Sequence, residues 1–295
     1  MSQYSGNIDN FGMDTAALAG PLEARLKAVQ EAGFSQVVLA AGDLVGHPDG
    51  IEAAVAAVRT SGLRVTGFGA LRDFEGLSGQ LHDYKVDIAK SMLEMCRALK
   101  CHLLLVHSST LAQSSTDNRA LVRDLRKLAM LAIPMDIQIA YGAVANGHKV
   151  KEFAQAWDRV CEVDMPNLGL ALVGDTFHLF ADGMAIDELD MLDPDKVFLV
   201  QLVDFLWSEP GGQPFRVFPG EGVHSQTIAA LVTRLHELGY RGDYHFEVCN
   251  SDYQQMPLAT VAQRARRAAV WLGEGVLQRS VPLPNHIRLK RLASR

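Results

Sequence analysis

The stretch at residues 21–39, PLEARLKAVQEAGFSQVVL, contains the pattern that decides the fold. Residues 21–33 have apolar side chains at the i, i+3, i+4 and i+7 spacing of an amphipathic helix, with Pro near the first turn and Gly just past the end. The apolar run QVVL (residues 36–39) then predicts a buried strand. The same pattern returns at residues 50–62, before LRVTGFGAL, and at residues 225–239, before a strand around residues 244–248. A helix-then-strand unit therefore repeats along the chain.

Further units of this kind lie between those three. Helices are predicted at residues 82–100, 118–133, 149–163 and 184–192, followed by strands at 102–107, 137–144, 168–173 and 197–203. With a first strand near residues 7–13 and a last helix at about 258–272, the count is eight strand–helix units. Strands as apolar as LLLV and LGLALV are typical of a parallel sheet covered on both faces.

Eight units favour an α/β fold of the closed (β/α)8 TIM barrel type over an open doubly wound sheet. The open sheet predicts a G-x-G-x-x-G or G-x-x-x-x-G-K-[ST] loop after an early strand, and neither occurs in the sequence. We expect one barrel over residues 1–275. A basic tail at residues 276–295 is expected to pack on the barrel or to mediate self-association.

Composition and charge narrow the function classes. The 295 residues carry 28 Lys and Arg against 34 Asp and Glu, a net charge of -6, which argues against nucleic acid as a partner. The four cysteines form no C-x-x-C pair, which disfavours a disulfide framework and a cysteine zinc site. The first residues do not resemble a signal peptide, and no apolar run approaches the roughly 18 residues of a membrane span. We therefore expect a cytoplasmic protein, monomeric or homo-oligomeric, whose partner is a small-molecule substrate rather than a membrane.

Polar side chains at the C-terminal ends of the strands are the candidates for function, because a (β/α)8 barrel builds its active site there. Gln201 and Glu247 stand inside otherwise apolar strands, where an unpaired polar group is costly, and Asp175 follows another strand. Their oxygens suit Mg²⁺ or Mn²⁺, and a nearby His would widen the choice to Co²⁺ or Zn²⁺. The alternative for each residue alone is a buried polar group that the backbone satisfies.

These residues belong to a combination of motifs, which is DTFH (175–178), VQLVD (200–204), FPGEG (218–222) and FEVCN (246–250). Further stretches of the same kind are LRDFEG (71–76), LLLVHSS (103–109), IAYGAVANG (139–147) and AWDRV (156–160). Together they resemble the xylose isomerase-like sugar phosphate isomerase/epimerase superfamily of TIM barrels. Within it, the chain is most similar to bacterial 3-dehydroshikimate dehydratases.

The resemblance implies a divalent metal held by four side chains, and Asp175, Gln201 and Glu247 match three of them. The fourth, a glutamate on strand five, is replaced by Gly142, which has no side chain to donate. Three outcomes stay open. His107 or Tyr141 completes the site, water completes a weaker site, or the metal is absent and the barrel is a degenerate relative that binds a ligand or partner.

The resemblance also implies a reaction, in which a lyase removes water from a cyclic polyhydroxylated keto acid through an enolate and forms the aromatic acid protocatechuate. On this basis His178 is the candidate acid/base, and Arg72 and Arg216 are candidate clamps for the substrate's oxygens. His107 is a further candidate for substrate binding. Two alternatives remain, namely a sugar or inositol isomerase, epimerase or dehydratase of the same superfamily, and a catalytically silent barrel.

Overall fold

The computed structural model describes residues 10–181, 183–206 and 215–277, apart from the side chains of residues 177–179 and 181. The barrel strands in these ranges are β1 (Phe11–Asp14), β2 (Gln36–Ala40), β3 (Arg64–Arg72), β4 (Leu103–His107), β5 (Gln138–Gly142), β6 (Leu168–Leu172), β7 (Val197–Leu202) and β10 (Tyr244–Phe246). A hairpin of β8 (Asp204–Leu206) and β9 (Phe215–Val217) lies outside the barrel.

The helices of the same ranges are α1 (Leu22–Glu31), α2 (Ala41–Val45), α3 (Ile51–Ser61), α4 (Gly79–Leu99), α5 (Asn118–Ala132), α6 (Phe153–Val163), α7 (Gly174–Ala181), α8 (Ser225–Leu238), α9 (Ser251–Gln254) and α10 (Leu258–Val270). Short 3-10 turns cover Thr15–Ala17, Ile133–Met135, Ile186–Met191 and Pro194–Lys196, and a π turn covers Trp271–Val276. None of these helices is both long enough and apolar enough to cross a membrane.

The eight barrel strands pair in parallel and close in the order β1-β10-β7-β6-β5-β4-β3-β2. Closure follows from the repeated units, since each helix returns the chain so that the next strand lies parallel to the previous one. The predicted (β/α)8 fold is confirmed. The expected division between the barrel and the tail stays a prediction, because residues 278–295 lie outside the described ranges.

Two elements differ from the prediction. The helix expected at residues 184–192 is only a 3-10 turn, and the helix that follows β6 is α7, which begins at Gly174. Asp175 in the first turn of α7 favours this start, because a carboxylate stabilises the N-terminal end of a helix. The β8–β9 hairpin was not predicted, and its position beside β7 carries Arg216 to the rim of the barrel.

The hydrophobic residues form two clusters. The larger one lies between the strands and the surrounding helices. The smaller one fills the barrel interior with side chains from neighbouring strands, namely Leu103, Leu105, Ala140, Ala171, Val173 and Leu199. Because side chains alternate along a strand, the next residue of the same parity on each strand also faces inward, at the C-terminal rim.

Candidate active site

A cavity of about 280 Å³ opens at this rim. Alternation explains its lining, since His107 lies two residues beyond Leu105, Gln201 lies two beyond Leu199, and Glu247 lies two beyond the buried His245. Six of the seven predicted site residues line this one cavity, which are Arg72, His107, Asp175, Gln201, Arg216 and Glu247. Their functional roles remain predictions.

The seventh predicted residue, His178, lies on α7 three residues after Asp175. Its side chain is outside the described part of the structure. Its role as acid/base therefore stays a prediction from the resemblance.

Arg216 connects the two carboxylates of the cavity. One terminal nitrogen, Nη2, pairs with Asp175 Oδ1, and the other, Nη1, pairs with Glu247 Oε2. The other carboxylate oxygen of Asp175 accepts the backbone N–H of Ala145 at 2.9 Å. The carbonyl of Arg216 accepts the side-chain amide of Asn250 at 2.7 Å. The guanidinium is thus held between two carboxylates, and both Asp175 and the backbone of Arg216 are fixed by further hydrogen bonds.

The pKa values of Glu247 and Arg216 depend on burial and on the neighbouring charges. Burial raises the pKa of Glu247, and the neighbouring Arg216 opposes that rise without cancelling it. Burial acts against protonation of Arg216, but Glu247 and Asp175 outweigh it, so that the pKa of the guanidinium rises. Arg216 is therefore a permanent cation at this position.

Gly142 lies at the end of β5, in register with His107 of β4. A Cβ added to Gly142 would lie 2.4 Å from Val173 Cγ1 and 3.1 Å from the carbonyl oxygen of Ala171. The space that a strand-five side chain would enter is therefore already filled by Val173. Sequence reasoning missed Val173, although its place one residue past β6 and two beyond Ala171 could have indicated an inward direction.

Tyr141 does not complete a metal site. Its side chain is fully buried outside the cavity, and its hydroxyl donates to Glu75 Oε1 at 2.9 Å. The alternative in which Tyr141 takes the place of the missing ligand is wrong, because neighbouring residues of a strand point to opposite faces and Gly142 has the inward one.

Two further side chains define the polar character of the cavity. The guanidinium of Arg72 makes no hydrogen bond or ion pair with another described residue, whereas its carbonyl accepts Lys85 Nζ at 2.8 Å. Burial lowers the pKa of His107 to about 4, with a further contribution from Arg72. His107 is therefore neutral near pH 7, and its buried Nε2 has no hydrogen-bond partner within the described ranges.

Eight lining residues were not predicted as site residues. They are Asp73, Ser108, Thr110, Val144, Asn146, Val173, Gly174 and Cys249. Cys249 could have been found, because it lies two residues after Glu247 on the same side of the chain. Thr110 could not, since its position depends on the loop after β4, where its N–H and hydroxyl both donate to Asp73.

The donor set does not fit the four-ligand metal site that the resemblance implies. Three carboxylates line the cavity. Asp175 and Glu247 are both paired with Arg216, and Asp73 accepts the N–H and the hydroxyl of Thr110. The fourth position has no donor and no room for one. Among the residues that the structure describes, no group of three or more His, Cys, Asp or Glu side chains is arranged to hold a metal ion. Gln201 contributes an amide to the same cavity and is 2% exposed.

Comparisons with known proteins agree with this architecture. The family model of the xylose isomerase-like TIM barrel matches residues 26–274. The 3-dehydroshikimate dehydratase of Pseudomonas aeruginosa is 33% identical over 281 residues, which cover 91% of this chain and 43% of that enzyme. The inosose isomerase of Halalkalibacterium halodurans is 29% identical over 193 residues, covering 61% of this chain and 65% of that enzyme.

Solved structures give the same result. A fusion of a xylose isomerase-like TIM barrel with 4-hydroxyphenylpyruvate dioxygenase matches with a TM-score of 0.83 at 28% identity, over 92% of this chain and 44% of that one. The IOLI protein with a bound zinc atom matches with a TM-score of 0.78 at 21% identity, over 90% and 99% of the two chains, which shows a shared fold. The chain spans less than half of the length of the dehydratase and of the fusion protein.

Proposed function

The chain belongs to the xylose isomerase-like TIM barrel family, and on this premise we propose that it is a lyase that removes water from a small cyclic polyhydroxylated keto acid. The relatives that support this proposal include 3-dehydroshikimate dehydratases at 33% and 31% identity. The substrate of this class of lyase carries a free carboxylate, whereas an inosose is a neutral ring.

One observation carries the proposal, namely that the guanidinium of Arg72 lies in the cavity and has no hydrogen-bond or ion-pair partner among the described residues. Asp175 and Glu247 are already paired with Arg216, and His107 is neutral near pH 7. Among the described residues that line the cavity, Arg72 therefore carries the positive charge that remains available to a ligand. A guanidinium binds a carboxylate through two parallel hydrogen bonds, which favours an acid over a neutral sugar.

The elimination of water requires two proton transfers, and the tautomerisation that follows moves one more ring proton to the ketone oxygen. The proton on the carbon beside the ketone passes to a base, and the C–H electron pair forms the enolate. The hydroxyl on the next carbon then leaves with a proton supplied by an acid, as water, and the ring becomes aromatic after tautomerisation. His178 is the proposed acid/base, and the neutral ring of His107 would hydrogen-bond a substrate oxygen without repelling Arg72.

The dependence of this lyase on a divalent metal, which the sequence resemblance implies, stays a prediction. Asp175, Gln201 and Glu247 are the residues that would contact a divalent ion in this chain. The zinc atom of the IOLI protein supports such an ion in the fold, while the pairing of both carboxylates with Arg216 opposes it.

The test compares an acid with a neutral ring on the same protein. Incubation with 3-dehydroshikimate should produce the ultraviolet absorbance of an aromatic acid, and incubation with an inosose should not change the inosose. Turnover of the inosose alone would favour the isomerase alternative. Binding of either compound in calorimetry without turnover would favour the silent, ligand-binding barrel.

A further inference from the structure

We propose that the side chain of Arg216 takes the place of a divalent metal in this barrel and is the cation that holds Asp175 and Glu247 together. The inference concerns the same cavity as the proposed function. Only its catalytic part rests on that proposal.

The position of Arg216 is the first argument. Its two terminal nitrogens contact different carboxylates, so that the guanidinium lies between the ends of β6 and β10. A divalent ion held by these two carboxylates would have to displace Arg216, because Asp175 Oδ2 already accepts the N–H of Ala145 and the guanidinium is paired with Asp175 Oδ1 and Glu247 Oε2. The ion and the guanidinium therefore exclude each other, both by space and by charge.

The surroundings of Arg216 are the second argument. Its carbonyl is bonded to Asn250, and the other oxygen of Asp175 is bonded to Ala145 N–H. Arg216 also belongs to β9, whose partner strand β8 follows β7 directly. The backbone on both sides of the ion pair is thus fixed, and displacing the guanidinium would leave a positive charge without its two partners.

The filled position at strand five is the third argument. Gly142 removes one carboxylate, and Val173 Cγ1 occupies the space that a side chain there would enter. The charged groups that line the cavity are the carboxylates of Asp73, Asp175 and Glu247 and the guanidinium groups of Arg72 and Arg216. They leave a single negative charge, which is too little to compensate for a dication. The loss of the ligand and the presence of the arginine are mutually consistent.

The catalytic consequence follows if the proposed function holds. A guanidinium carries five N–H donors, and the two ion pairs use only one nitrogen each. The remaining donors can hydrogen-bond the ketone oxygen and stabilise the negative charge that develops on it when the enolate forms. Arg216 would then supply electrostatic stabilisation, while Arg72 holds the carboxylate.

The experiment measures metal content and Mn²⁺ binding on the full chain, without any substrate. The protein as purified should contain no stoichiometric metal by mass spectrometry, and Mn²⁺ titrated in electron paramagnetic resonance should bind with a Kd weaker than about 1 mM. In Arg216→Met both carboxylates are free, and Mn²⁺ affinity should rise by about tenfold or more. The control, Arg72→Met, removes a cavity cation that bridges nothing and should change the affinity much less.

One equivalent of bound metal in the native protein, or micromolar Mn²⁺ binding by it, would overturn the inference. An equal gain in Mn²⁺ affinity in Arg216→Met and in Arg72→Met would also overturn the inference, because the affinity would then depend only on the net charge of the cavity. If Arg216→Met does not fold, the native titration decides alone. If the native protein contains no metal and does not dehydrate 3-dehydroshikimate, only the proposed function is contradicted. If the native protein contains a metal and does dehydrate 3-dehydroshikimate, only this inference is contradicted.

Discussion

At the scale of single residues, the cavity contains two arginines in different states. Arg216 is engaged by two carboxylates, whereas Arg72 has no partner among the described side chains. A paired guanidinium has already exchanged part of its water for protein contacts, so that only its remaining N–H donors can bind a substrate oxygen. An unpaired charge at the mouth of a cavity keeps its full capacity for a ligand.

Replacement of Arg72 should therefore affect substrate binding. Arg72→Met is expected to raise the KM for a carboxylate substrate by about 10- to 100-fold, the equivalent of one lost charge-assisted bond pair. Steady-state kinetics on 3-dehydroshikimate measure this, and Arg119→Met on the exposed surface is the matched control. An unchanged KM in Arg72→Met would remove the main support for an acid substrate.

Gly142 leads to a prediction about stability rather than activity. Gly142→Ala should destabilise the fold by about 1–3 kcal/mol, because the added Cβ meets Val173 and the Ala171 carbonyl in a packed barrel. In a Val173→Ala background, Gly142→Ala should lower the free energy of unfolding by less, because the methyl group nearest to the added Cβ, Val173 Cγ1, is absent. Urea denaturation gives the four free energies of unfolding.

The control for this cycle is Gly42→Ala. Gly42 lies in α2, and a Cβ there has no neighbour within 4 Å. That substitution should be neutral or stabilising by up to about 1 kcal/mol. Equal costs for Gly142→Ala in both backgrounds would show that Val173 is not the obstacle.

At the scale of elements, the hairpin that carries Arg216 is anchored by one buried carboxylate. Asp204 at the start of β8 is fully buried and accepts the N–H groups of Gly222 and His224 at 3.1 and 3.0 Å. Its Oδ2 also accepts the hydroxyl of Ser225 at 2.8 Å. Asp204 therefore connects the FPGEG loop and the N-terminal end of α8 to the hairpin by hydrogen bonds.

Asp204→Asn should break this anchor. The new amide NH2 group would face the N–H and O–H donors of the loop and leave some of them without an acceptor, at a cost of about 2–4 kcal/mol. Hydrogen exchange should increase at residues 218–225, and urea denaturation should report the global loss. Ser225→Ala, which removes only one donor, should have a clearly smaller effect; equal effects would assign the anchor to Ser225 instead.

At the scale of the whole molecule, Glu75 joins three consecutive rim segments. Glu75 follows β3 and is 1% exposed. Its carboxylate accepts the N–H of Ser109, which follows β4, at 2.6 Å, and it also accepts the hydroxyl of Tyr141 on β5. Burial raises the pKa of Glu75 to about 7, although these hydrogen bonds act against the rise. Its second oxygen, Oε2, has no partner within the described ranges.

This group makes stability depend on pH. The folded pKa is raised above the ordinary value of 4.5, so the folded state binds the extra proton, and the contribution of Glu75 to stability falls as pH rises from 4.5 to about 7. Glu75→Gln removes this loss, which amounts to about 3 kcal/mol. The free energy of unfolding of Glu75→Gln relative to the native protein should therefore increase between pH 5 and pH 8, on the order of that value.

Urea denaturation at the two pH values provides the measurement. Glu94→Gln on the exposed side of α4 is the control and should show the same difference at both. A pH-independent difference for Glu75→Gln would mean that Glu75 is ionised throughout, with a partner for Oε2 that its described surroundings do not supply.

The sequence by itself determined the eight barrel strands, most of the helices between them, the closed barrel and the family, because amphipathic spacing and apolar runs are local properties of the chain. It also placed Gln201 and Glu247 at the rim, since alternation along a strand is local too. Only the tertiary structure decided that Arg216 pairs with Asp175 and Glu247, which lie 41 and 31 residues away, and that Val173 closes the space beside Gly142. Such pairings depend on side-chain directions and on which strands become neighbours, and both arise from packing the whole barrel rather than from any one segment.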